Sequence, residues 1–435
     1  MAVRDNDVSI TALADRISSL SSQLSSYLAS NSFPEPRFTP GVGGVPQTTE
    51  YEALRTPLND AALDLIRLVN GPKSSLRNIV FSQYDLAALQ IALNRRLFHH
   101  VPLPTEPSQD VAAVAQRASV AEIAQMAGMD ENRTGRVMRM LATQRIFEEV
   151  DGEPGSFTHT AISACLARDG DLHALADMQM DDGLAAASES DAVVSGRPSA
   201  PDAPPSAFSE RFGTSMYQYY EQRPDKARRF GQAMVSRANM DRSIELLHTC
   251  FPWESLKDGK VVDIGGANGH ISIGLARKFP SLRCIVQDRS PQMISQAQQD
   301  CDGRVTFEQH DFFDPQPVHD ASAFILRHCT HNYSDGDVVK IIRAVVPALE
   351  HCAPGTPLLI NDIVLPEPGT APKSEEHNLR QIDIYMMVMM EAKQRTEAEF
   401  NRLVKEADER LEIVRVYRNP LGVSVVEVHL RAPEA

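Results

Sequence analysis

The stretch VVDIGGANG, residues 261–269, decides the fold of the C-terminal half of the chain. It is typical of a buried β-strand that runs into a glycine-containing loop, and the next segment, HISIGLARKF, has an amphipathic helical pattern. Glycines let the backbone approach a ligand closely where a strand ends. Ala267 and His270 stand where the dinucleotide fingerprint G-x-G-x-x-G needs glycines, which disfavours a nicotinamide or flavin cofactor. The stretch therefore predicts a ligand-binding strand, loop and helix of another kind.

Short β-branched runs alternate with helical patterns from this stretch to the end of the chain. Examples of the runs are LRCIVQD (282–288), ASAFILRHC (321–329) and TPLLINDIVL (356–365). Such alternation is typical of a parallel sheet with helices on both faces, and two adjacent C-terminal runs are compatible with one antiparallel edge strand. We expect residues 256–435 to form an α/β Rossmann-like domain with a mainly parallel sheet and an antiparallel edge strand.

Two later strands are predicted to end in side chains suited to a nucleoside. Asp288 ends the second strand, where a carboxylate can accept hydrogen bonds from both hydroxyls of a ribose. The third strand is followed by Asp311, which can accept from the amino group of adenine, and by Phe312, whose ring can cover the base. Three consecutive strand ends with this chemistry indicate an adenosine-containing cofactor.

The loop itself, D-x-G-G-x-x-G, resembles the first motif of class I methyltransferases. In that family the loop wraps the methionine and ribose portions of S-adenosyl-L-methionine. The resemblance implies this cofactor, and it assigns its binding loop to Asp263, Gly265, Gly266 and Gly269.

The composition favours a protein with a small-molecule partner. The 435 residues carry a formal net charge of −15, which opposes non-specific binding to nucleic acid. The six cysteines form no C-x-x-C pair, which argues against a zinc site and favours a reducing compartment. No stretch approaches the ~18 apolar residues of a membrane span, and the N-terminus lacks the apolar run of a signal peptide. We expect a cytoplasmic protein without a metal, nucleic-acid or membrane partner.

Residues 76–180 have the pattern of a mainly α, winged-helix-like domain. A helical segment precedes a helix-turn-helix pattern, and the strand-like run 156–160 follows it. The second helix and its end carry basic side chains that leave DNA binding open: Arg133, Arg136, Arg139 and Arg145. Acidic neighbours and the acidic chain dilute this signal, so we prefer a role in packing or dimerisation.

The remaining segments are predicted to connect these two parts. Residues 1–75 have the pattern of a helical arm and a linker, with apolar side chains at helical spacing from Ile10 to Leu28. Residues 181–206, rich in Ala, Ser, Asp and Pro, are expected to be a loop or linker, and residues 207–255 a helical connection that lines a substrate pocket. The side chains expected to bind substrate there are Met216, Tyr217 and Met234.

The chain resembles the plant and fungal family typified by caffeic acid O-methyltransferase, from about Ser82 to Leu430. The matching stretches are VVDIGGANG, QDRSP, QHDFFDP, FILRHCTHNYSD, NDIVLPEP and AKQRTEAEF, in this order. The family forms dimers in which the winged-helix-like part completes the substrate pocket of the partner. The resemblance therefore implies a homodimer that methylates a hydroxyl of a small aromatic or polyketide-type secondary metabolite.

The same resemblance assigns the catalytic residues. His331 matches the general base of the family, and Arg327 stands where the family has a lysine that meets the cofactor carboxylate. Asp362 and Gln394 stand where the family has two glutamates that support the base. The chain departs from the family pattern at Ala267, at Asn332 and at the uncharged Gln394.

Methionines cluster after Asp383, at residues 386–390. An apolar wall near the methyl group favours dispersal of the sulfonium charge, and methionine adapts well to such a pocket. We expect Met386 and Met390 to bind substrate.

Two alternatives remain open. Some fungal relatives bind the same cofactor but catalyse dehydration or pericyclic ring formation on polyketide-type substrates, with a wing histidine and a cation that polarise a carbonyl. His159 and Arg327 are the candidates for these roles. The other alternative is a winged-helix regulator with a degenerate enzyme domain, although His331, Asp288 and Asp311 are retained.

Overall fold

The computed structural model describes residues 9–41, 44–103, 116–195, 206–241, 243–291, 294, 303–419 and 423–431. The chain divides into two compact units. The first consists of the residues up to Ser188, Tyr217–Arg237 and Pro372–Ser374; the second consists of Glu189–Met216, Ala238–Ala371 and the residues from Glu375 onward.

The first unit begins with two long helical segments. Helix α1, Ile10–Ser30, starts where the hydroxyl of Ser9 accepts a hydrogen bond from the Ala12 N–H at 3.1 Å, as predicted for the arm. Helix α2, Thr49–Asn94, follows a non-helical segment and is broken at Gly71 (φ 67°, ψ 174°). The arm predicted for residues 1–75 thus runs into a helical segment that continues past residue 75, and residues 1–8 and 42–43 lie outside the described part.

A helix-turn-helix and a small antiparallel sheet follow. They comprise β1 (Ala118–Ser119), α3 (Val120–Ala127), α4 (Glu131–Thr143), β2 (Phe147–Glu149) and β3 (Ser156–His159), with strand order β1-β3-β2. Ser119 and Glu122 form a capping box at the start of α3, and Gly128 ends that helix with φ 63°. Phe147 and Phe157 are fully buried between the sheet and the helices. The winged-helix-like pattern is as predicted.

Residues 181–194 were predicted as part of a loop, and this prediction is wrong. They contribute to the helical run α5 (Ala161–Arg168), α6 (Gly170–Met178), a π-helical turn (Gln179–Gly183), α7 (Leu184–Ala187) and α8 (Ser190–Val194). The aspartates that suggested a solvated loop are ion-paired: the buried Asp182 lies 2.6 Å from both Lys226 Nζ and Arg229 Nη2. Residues 196–205 of the predicted loop lie outside the described part of the chain.

Helices also occupy the predicted connection, residues 207–255. They are α9 (Ala207–Phe212), α10 (Met216–Glu221), α11 (Pro224–Asp241) and α12 (Ser243–Cys250), followed by a 3-10 turn at Trp253–Leu256.

The second unit is built on a large twisted sheet. Its strands are β4 (Lys260–Ile264), β5 (Arg283–Asp288), β6 (Val305–Gln309), β7 (Ala323–Arg327), β8 (Leu358–Leu365), β9 (Arg395–Thr396), β10 (Leu411–Tyr417) and β11 (Val423–Leu430). The order is β10-β11-β8-β7-β4-β5-β6, and β9 pairs with β8 off this path. All pairings are parallel except those of β11, which lies second from the edge. The mainly parallel Rossmann-like sheet with an antiparallel strand at one side is confirmed.

Helices cover both faces of this sheet. Helices α12 and α13 (His270–Lys278) pack in one core, and α14 (Asp335–His351) and α16 (Glu397–Ala407) pack in the other. Helix α15 (Lys373–Met390) contributes Leu379 to a smaller cluster with Ile363, Leu365 and Val423. Side chains of one strand alternate between the two cores: Val262 packs on one face and its neighbour Val261 on the other.

Strand order reverses beside β4, which pairs with β5 on one side and with β7 on the other. In open α/β sheets a crevice forms at such a switch point, at the carboxyl ends of the strands. The predicted site residues Asp263, Asp288, Arg327 and Asp362 all lie at or near these strand ends.

Candidate active site

The loop after β4 is shaped by glycines that tolerate no side chain. Gly265 and Gly269 have φ of 72° and 74°. A Cβ on Gly266 would lie 2.6 Å from Asp263 Cγ, and one on Gly269 would lie 2.7 Å from Cε1 of Phe307. The N–H groups of Gly265 and Gly266 donate to the Gln287 carbonyl at 2.8 and 3.0 Å, which ties the loop to β5. The loop is therefore a rigid turn pressed against its neighbours.

Ala267 occupies the loop position where the family has a glycine. It has φ 50°, a conformation that costs an L-residue more than a glycine. Its N–H donates to Asp288 Oδ2 at 3.1 Å. The structure thus keeps the left-handed conformation at this departure from the family pattern.

The carboxylate of Asp263 lies underneath the loop. The side chain is buried, and the Ser272 hydroxyl on α13 donates to Oδ2 at 2.7 Å. Burial raises the pKa of Asp263 to about 6, although the Ser272 hydrogen bond and the charge of Arg327 act in the opposite direction. Within the described residues, this carboxylate connects β4, the loop and the first turns of α13.

The predicted nucleoside residues lie at the ends of β5 and β6. Asp288 accepts the N–H of Ala267 on Oδ2 and that of Ser290 on Oδ1 at 2.8 Å, which fixes the carboxylate while each oxygen keeps a further lone pair. Asp311 accepts the Phe313 N–H at 3.1 Å. The Phe312 ring is close to the loop, since a Cβ on Gly265 would lie 3.3 Å from Cε1 of that ring.

Arg327 ends β7 and lies near the amino-terminal end of α13. It donates to Asn361 Oδ1, and the Asn361 amide in turn donates to the Ser424 carbonyl at 2.8 Å. Burial lowers the pKa of His270, and the charge of Arg327 lowers it further. A fixed cation therefore faces the end of the glycine loop. Asn361 was not predicted, although a polar residue inside the apolar run LLINDIVL is the signal that points to it.

The predicted base, His331, lies on a 3-10 turn, Thr330–Asn332, and is held by Asp362. Nδ1 of His331 is 2.5 Å from Asp362 Oδ1, and the His331 N–H donates to Oδ2 at 3.1 Å. Oδ2 also accepts the Thr330 hydroxyl at 2.6 Å, and Oδ1 accepts the Ile363 N–H at 3.0 Å.

These donors decide the ionisation of Asp362. Burial alone raises the pKa of this carboxyl, but the charge and hydrogen bond of His331, the His328 charge and the Thr330 hydroxyl together hold the pKa well below its usual range. An ionised carboxylate on Nδ1 fixes the tautomer of the ring and leaves Nε2 to take a proton.

Gln394 was predicted to support the base, and the structure gives it a different environment. The side chain is 2% exposed, and neither amide atom has a hydrogen-bond partner in the described part of the chain. Its backbone N–H donates to Asp383 Oδ1 at 2.8 Å. The partner of His331 is Asp362, and the buried Gln394 amide keeps its donors and acceptor for another group.

The predicted substrate-binding side chains are divided between the two units. Met216, Met386 and Met390 belong to the second unit, and Tyr217 and Met234 to the first. Met216 and Met386 are buried, Met234 and Met390 are half-buried, and Tyr217 is exposed.

Arg395 was not given a role by sequence reasoning. It is 1% exposed on β9, and its guanidinium donates to the carbonyl oxygens of Thr330 and Tyr333, each at 2.8 Å, and to Asp335. These partners are sixty or more residues away along the chain, so no local pattern reveals them.

His159, the wing histidine considered for the alternative reaction, has a hydrogen-bond partner within the first unit for each of its ring nitrogens. Nδ1 of His159 is 2.8 Å from Ser163 Oγ, and Nε2 is 3.0 Å from the Val101 carbonyl oxygen. Burial lowers the pKa of His159. These contacts are those of a histidine that stabilises the wing.

The described residues give weak support to DNA, membrane or metal partners. Arg139 of the second helix pairs with Glu149, and Arg145, just after the end of this helix, pairs with Glu148. In the described part of the chain, no helix is both long and apolar enough to cross a membrane. No group of three or more His, Cys, Asp or Glu side chains among these residues is placed to hold a metal ion.

Comparison with known proteins identifies the family. The family model of the O-methyltransferase domain matches residues 188–408. The chain is 46% identical to O-methyltransferase sol2 of Alternaria solani, over 97% of this chain and 95% of that protein.

Two solved structures have the same fold. OxaC in complex with SAH and oxaline has a TM-score of 0.72 at 20% identity, covering 97% of this chain and 99% of that chain. A structure described as a pericyclic reaction enzyme has a TM-score of 0.68 at 21% identity, covering 96% and 100%. At these identities the two similarities establish the fold alone. The family rests on the sequence matches: the chain belongs to the S-adenosylmethionine-dependent O-methyltransferases.

Proposed function

We propose that this enzyme transfers a methyl group to a hydroxyl of a small aromatic or polyketide-type secondary metabolite, with His331 as the general base. The observation that carries the proposal is the pairing of His331 Nδ1 with the buried, ionised Asp362 at 2.5 Å. Fungal relatives such as sol2 of Alternaria solani and aoiF of Aspergillus oryzae, both named O-methyltransferases, support it.

The residues at the carboxyl edge of the sheet fit S-adenosylmethionine. The glycine loop supplies a close backbone approach, Asp288 and Asp311 supply acceptors for ribose and adenine, and the Arg327 cation suits a carboxylate. When bound, the cofactor supplies an electrophilic methyl carbon. Positioning of the acceptor oxygen against that carbon accounts for most of the catalysis in an in-line displacement.

His331 makes the acceptor oxygen nucleophilic. A phenol has a pKa near 10 and is mostly protonated at neutral pH, whereas an imidazole with a pKa of roughly 6.5 can accept its proton. In the proposed step, Nε2 of His331 takes the hydroxyl proton, and Asp362 stabilises the resulting imidazolium. The bound cofactor would supply the methyl group, its sulfur–carbon bond breaking as the oxygen–carbon bond forms, and it would leave as the neutral thioether. Such assistance is typically worth ~10²–10⁴ in rate.

The test is His331→Ala, assayed with labelled cofactor and a panel of phenols, naphthols and hydroxypyridones. We expect turnover to fall by about 10²–10⁴ while the dissociation constant for S-adenosylhomocysteine, measured by calorimetry, changes less than threefold. His351→Ala on the exposed end of α14 is the matched control. Comparable turnover in the His331 variant would remove it from the mechanism.

Methyl transfer is preferred to pericyclic or dehydration chemistry because of His159. Both of its ring nitrogens already have partners inside the first unit, which leaves neither to polarise a carbonyl. The same incubation separates the reactions, since label moves to the product in one and the substrate isomerises or loses water in the others.

The proposed assembly is a homodimer. The segment from residue 63 to residue 84 of α2 has an unusual number of exposed apolar side chains, and contiguous apolar surface marks protein interfaces. We call these residues the α2 patch: Leu63, Ile66, Leu68, Val69, Leu76, Ile79, Val80, Phe81 and Tyr84. A second copy of the chain is the proposed occupant, as in the family that the sequence resembles.

The proposed compartment is the cytoplasm. The described cysteines Cys165, Cys250, Cys284, Cys329 and Cys352 are free thiols. Burial raises the pKa of Cys250 to about 12 and also raises that of Cys329, so these two thiols stay protonated and unreactive.

A further inference from the structure

We infer that Arg395 is a positioning residue that holds the turn of His331 in its catalytic orientation through the carbonyl groups of the turn. The inference rests on the proposed role of His331 and adds a second support that acts on the backbone of the turn. Arg395 itself does not act on the substrate.

Arg395 contacts the backbone before and after His331. Nη1 donates to the Thr330 carbonyl oxygen and Nη2 to the Tyr333 carbonyl oxygen, each at 2.8 Å, so the guanidinium spans the turn that contains His331. Nε and Nη2 also donate to Asp335 Oδ1 at 3.0 and 2.8 Å. The planar fork of an arginine can meet these acceptors together, whereas a lysine ammonium cannot reproduce the geometry.

The turn needs such support because it has little of its own. Its backbone hydrogen bonds are Asn332 N–H to the Cys329 carbonyl at 3.1 Å and Tyr333 N–H to the Thr330 carbonyl at 3.3 Å. Short 3-10 turns have poor hydrogen-bond geometry. Asp362 fixes the ring and the N–H of His331, while Arg395 fixes the carbonyl groups on either side of it.

The two supports come from paired strands. Arg395 of β9 pairs in register with Val364 of β8, and Asp362 lies two residues before Val364 on β8. Strand β8 is fully buried along its length. The two groups that hold His331 are therefore carried by adjacent, hydrogen-bonded strands.

The buried charge of Arg395 is balanced locally. Asp335 accepts from Arg395 and also pairs with Lys393 at 3.2 Å and Arg402 at 2.5 Å. Only Arg395, among these three cations, is buried and donates to the turn carbonyls. A matched comparison is thus available: Arg402 shares the carboxylate but has no contact with the turn in the described residues.

The test is a double-mutant cycle between Arg395→Lys and His331→Ala. If Arg395 acts through the base, Arg395→Lys lowers kcat by 10-fold or more in the wild-type background and by less than 2-fold in the His331→Ala background, since residues that act as a unit are non-additive. Arg402→Lys is expected to leave kcat within 2-fold. Affinity for S-adenosylhomocysteine, measured by calorimetry, should stay within 3-fold in every variant.

An acceptor with a more acidic hydroxyl gives an independent readout. A nitrophenol that is already ionised at the assay pH needs no base, so the kcat loss of Arg395→Lys should shrink with this acceptor, as it should for His331→Ala. A merely structural role would lower turnover on both acceptors equally. Running the cycle with Arg395→Gln, which keeps an amide NH2 donor group but no charge, provides a second variant.

Three results would each overturn the inference. They are a wild-type kcat in Arg395→Lys, losses of kcat that multiply in the double variant, and a loss of kcat in Arg402→Lys equal to that in Arg395→Lys. Failure of the proposed function is distinguishable, because His331→Ala would then retain its turnover whatever Arg395 does.

Discussion

Both oxygens of Asp362 contact His331, Oδ1 at the ring Nδ1 (2.5 Å) and Oδ2 at the backbone N–H (3.1 Å). One carboxylate therefore fixes the position of the residue and the orientation of its ring. The Thr330 hydroxyl and the Ile363 N–H also donate to this carboxylate, and this set of donors favours its ionised form, which agrees with the depressed pKa of Asp362.

Asp362→Asn keeps the shape of the side chain at this contact and removes its negative charge. Whichever way the amide is turned, its NH2 faces a backbone donor, of Ile363 or of His331, and it no longer stabilises an imidazolium. We expect kcat to fall on the order of 10²–10⁴ and the free energy of unfolding to fall by about 1–3 kcal/mol. Steady-state kinetics and urea unfolding measure the two effects. A kcat within threefold of wild type would contradict the role of Asp362.

Asp263 makes the stability of the cofactor-free enzyme depend on pH. Burial raises its pKa from 3.8 to about 6, so the folded state binds more protons than the unfolded state between these values. The free energy of unfolding should therefore decrease as the pH rises from about 4 to 6, by at most about 3 kcal/mol.

Asp263→Asn should remove this decrease, because the amide oxygen still accepts from Ser272 but does not titrate. Urea unfolding at pH 4.5 and pH 7.5 tests it. Asp320→Asn is the control: the hydrogen bond from Lys260 lowers the pKa of this exposed carboxyl, so its removal should not stabilise the protein at pH 7.5. Parallel pH curves for wild type and Asp263→Asn would refute the assignment.

Gly266→Ala should damage the cofactor loop selectively. The added Cβ would lie 2.6 Å from Asp263 Cγ and 2.9 Å from Val286 Cγ1, so the loop or the strand must shift. We expect affinity for S-adenosylhomocysteine to fall at least tenfold by calorimetry. Gly274→Ala on α13 is the matched control, because its Cβ would meet His248 at an ordinary 3.5 Å. Equal affinities in the two variants would exclude a close fit at Gly266.

Gln394→Met should make the folded enzyme more stable and weaken its binding of the acceptor. The wild-type amide is buried without hydrogen bonds in the described residues, a state that costs about 1–3 kcal/mol, and methionine has a similar shape without polar atoms at its end. We expect Tm to rise by about 2–4 °C for each kcal/mol regained and KM for the acceptor to rise several-fold. Calorimetry and steady-state kinetics measure both. A lower Tm together with an unchanged KM would show that the amide is satisfied in solution.

The features of this enzyme that local sequence patterns determine could be predicted from the sequence. The loop at 261–269 and the carboxylates at or just after the ends of β5 and β6 follow from residue type and period, because several strand ends with compatible side chains occur in succession along the chain. The helical turn at Asp182 was missed because its charge is neutralised by Lys226 and Arg229, more than forty residues later. Arg395 was missed for the same reason, since tertiary contacts rather than neighbours decide what a buried charge does.

The α2 patch gives the last prediction. Ile79 is 71% exposed and Leu76, one helical turn earlier on the same face of α2, is 61% exposed, and water should be excluded from both if a second copy covers them. Leu76→Asp with Ile79→Asp places two like charges in that contact without disturbing a core. We expect light scattering after size exclusion to give twice the chain mass for wild type and the chain mass for this variant. Val414→Asp, at an exposed apolar site of β10 in the second unit, should leave the dimer intact. A wild-type monomer, or a dimer that survives the paired aspartates, would assign the α2 patch to another partner.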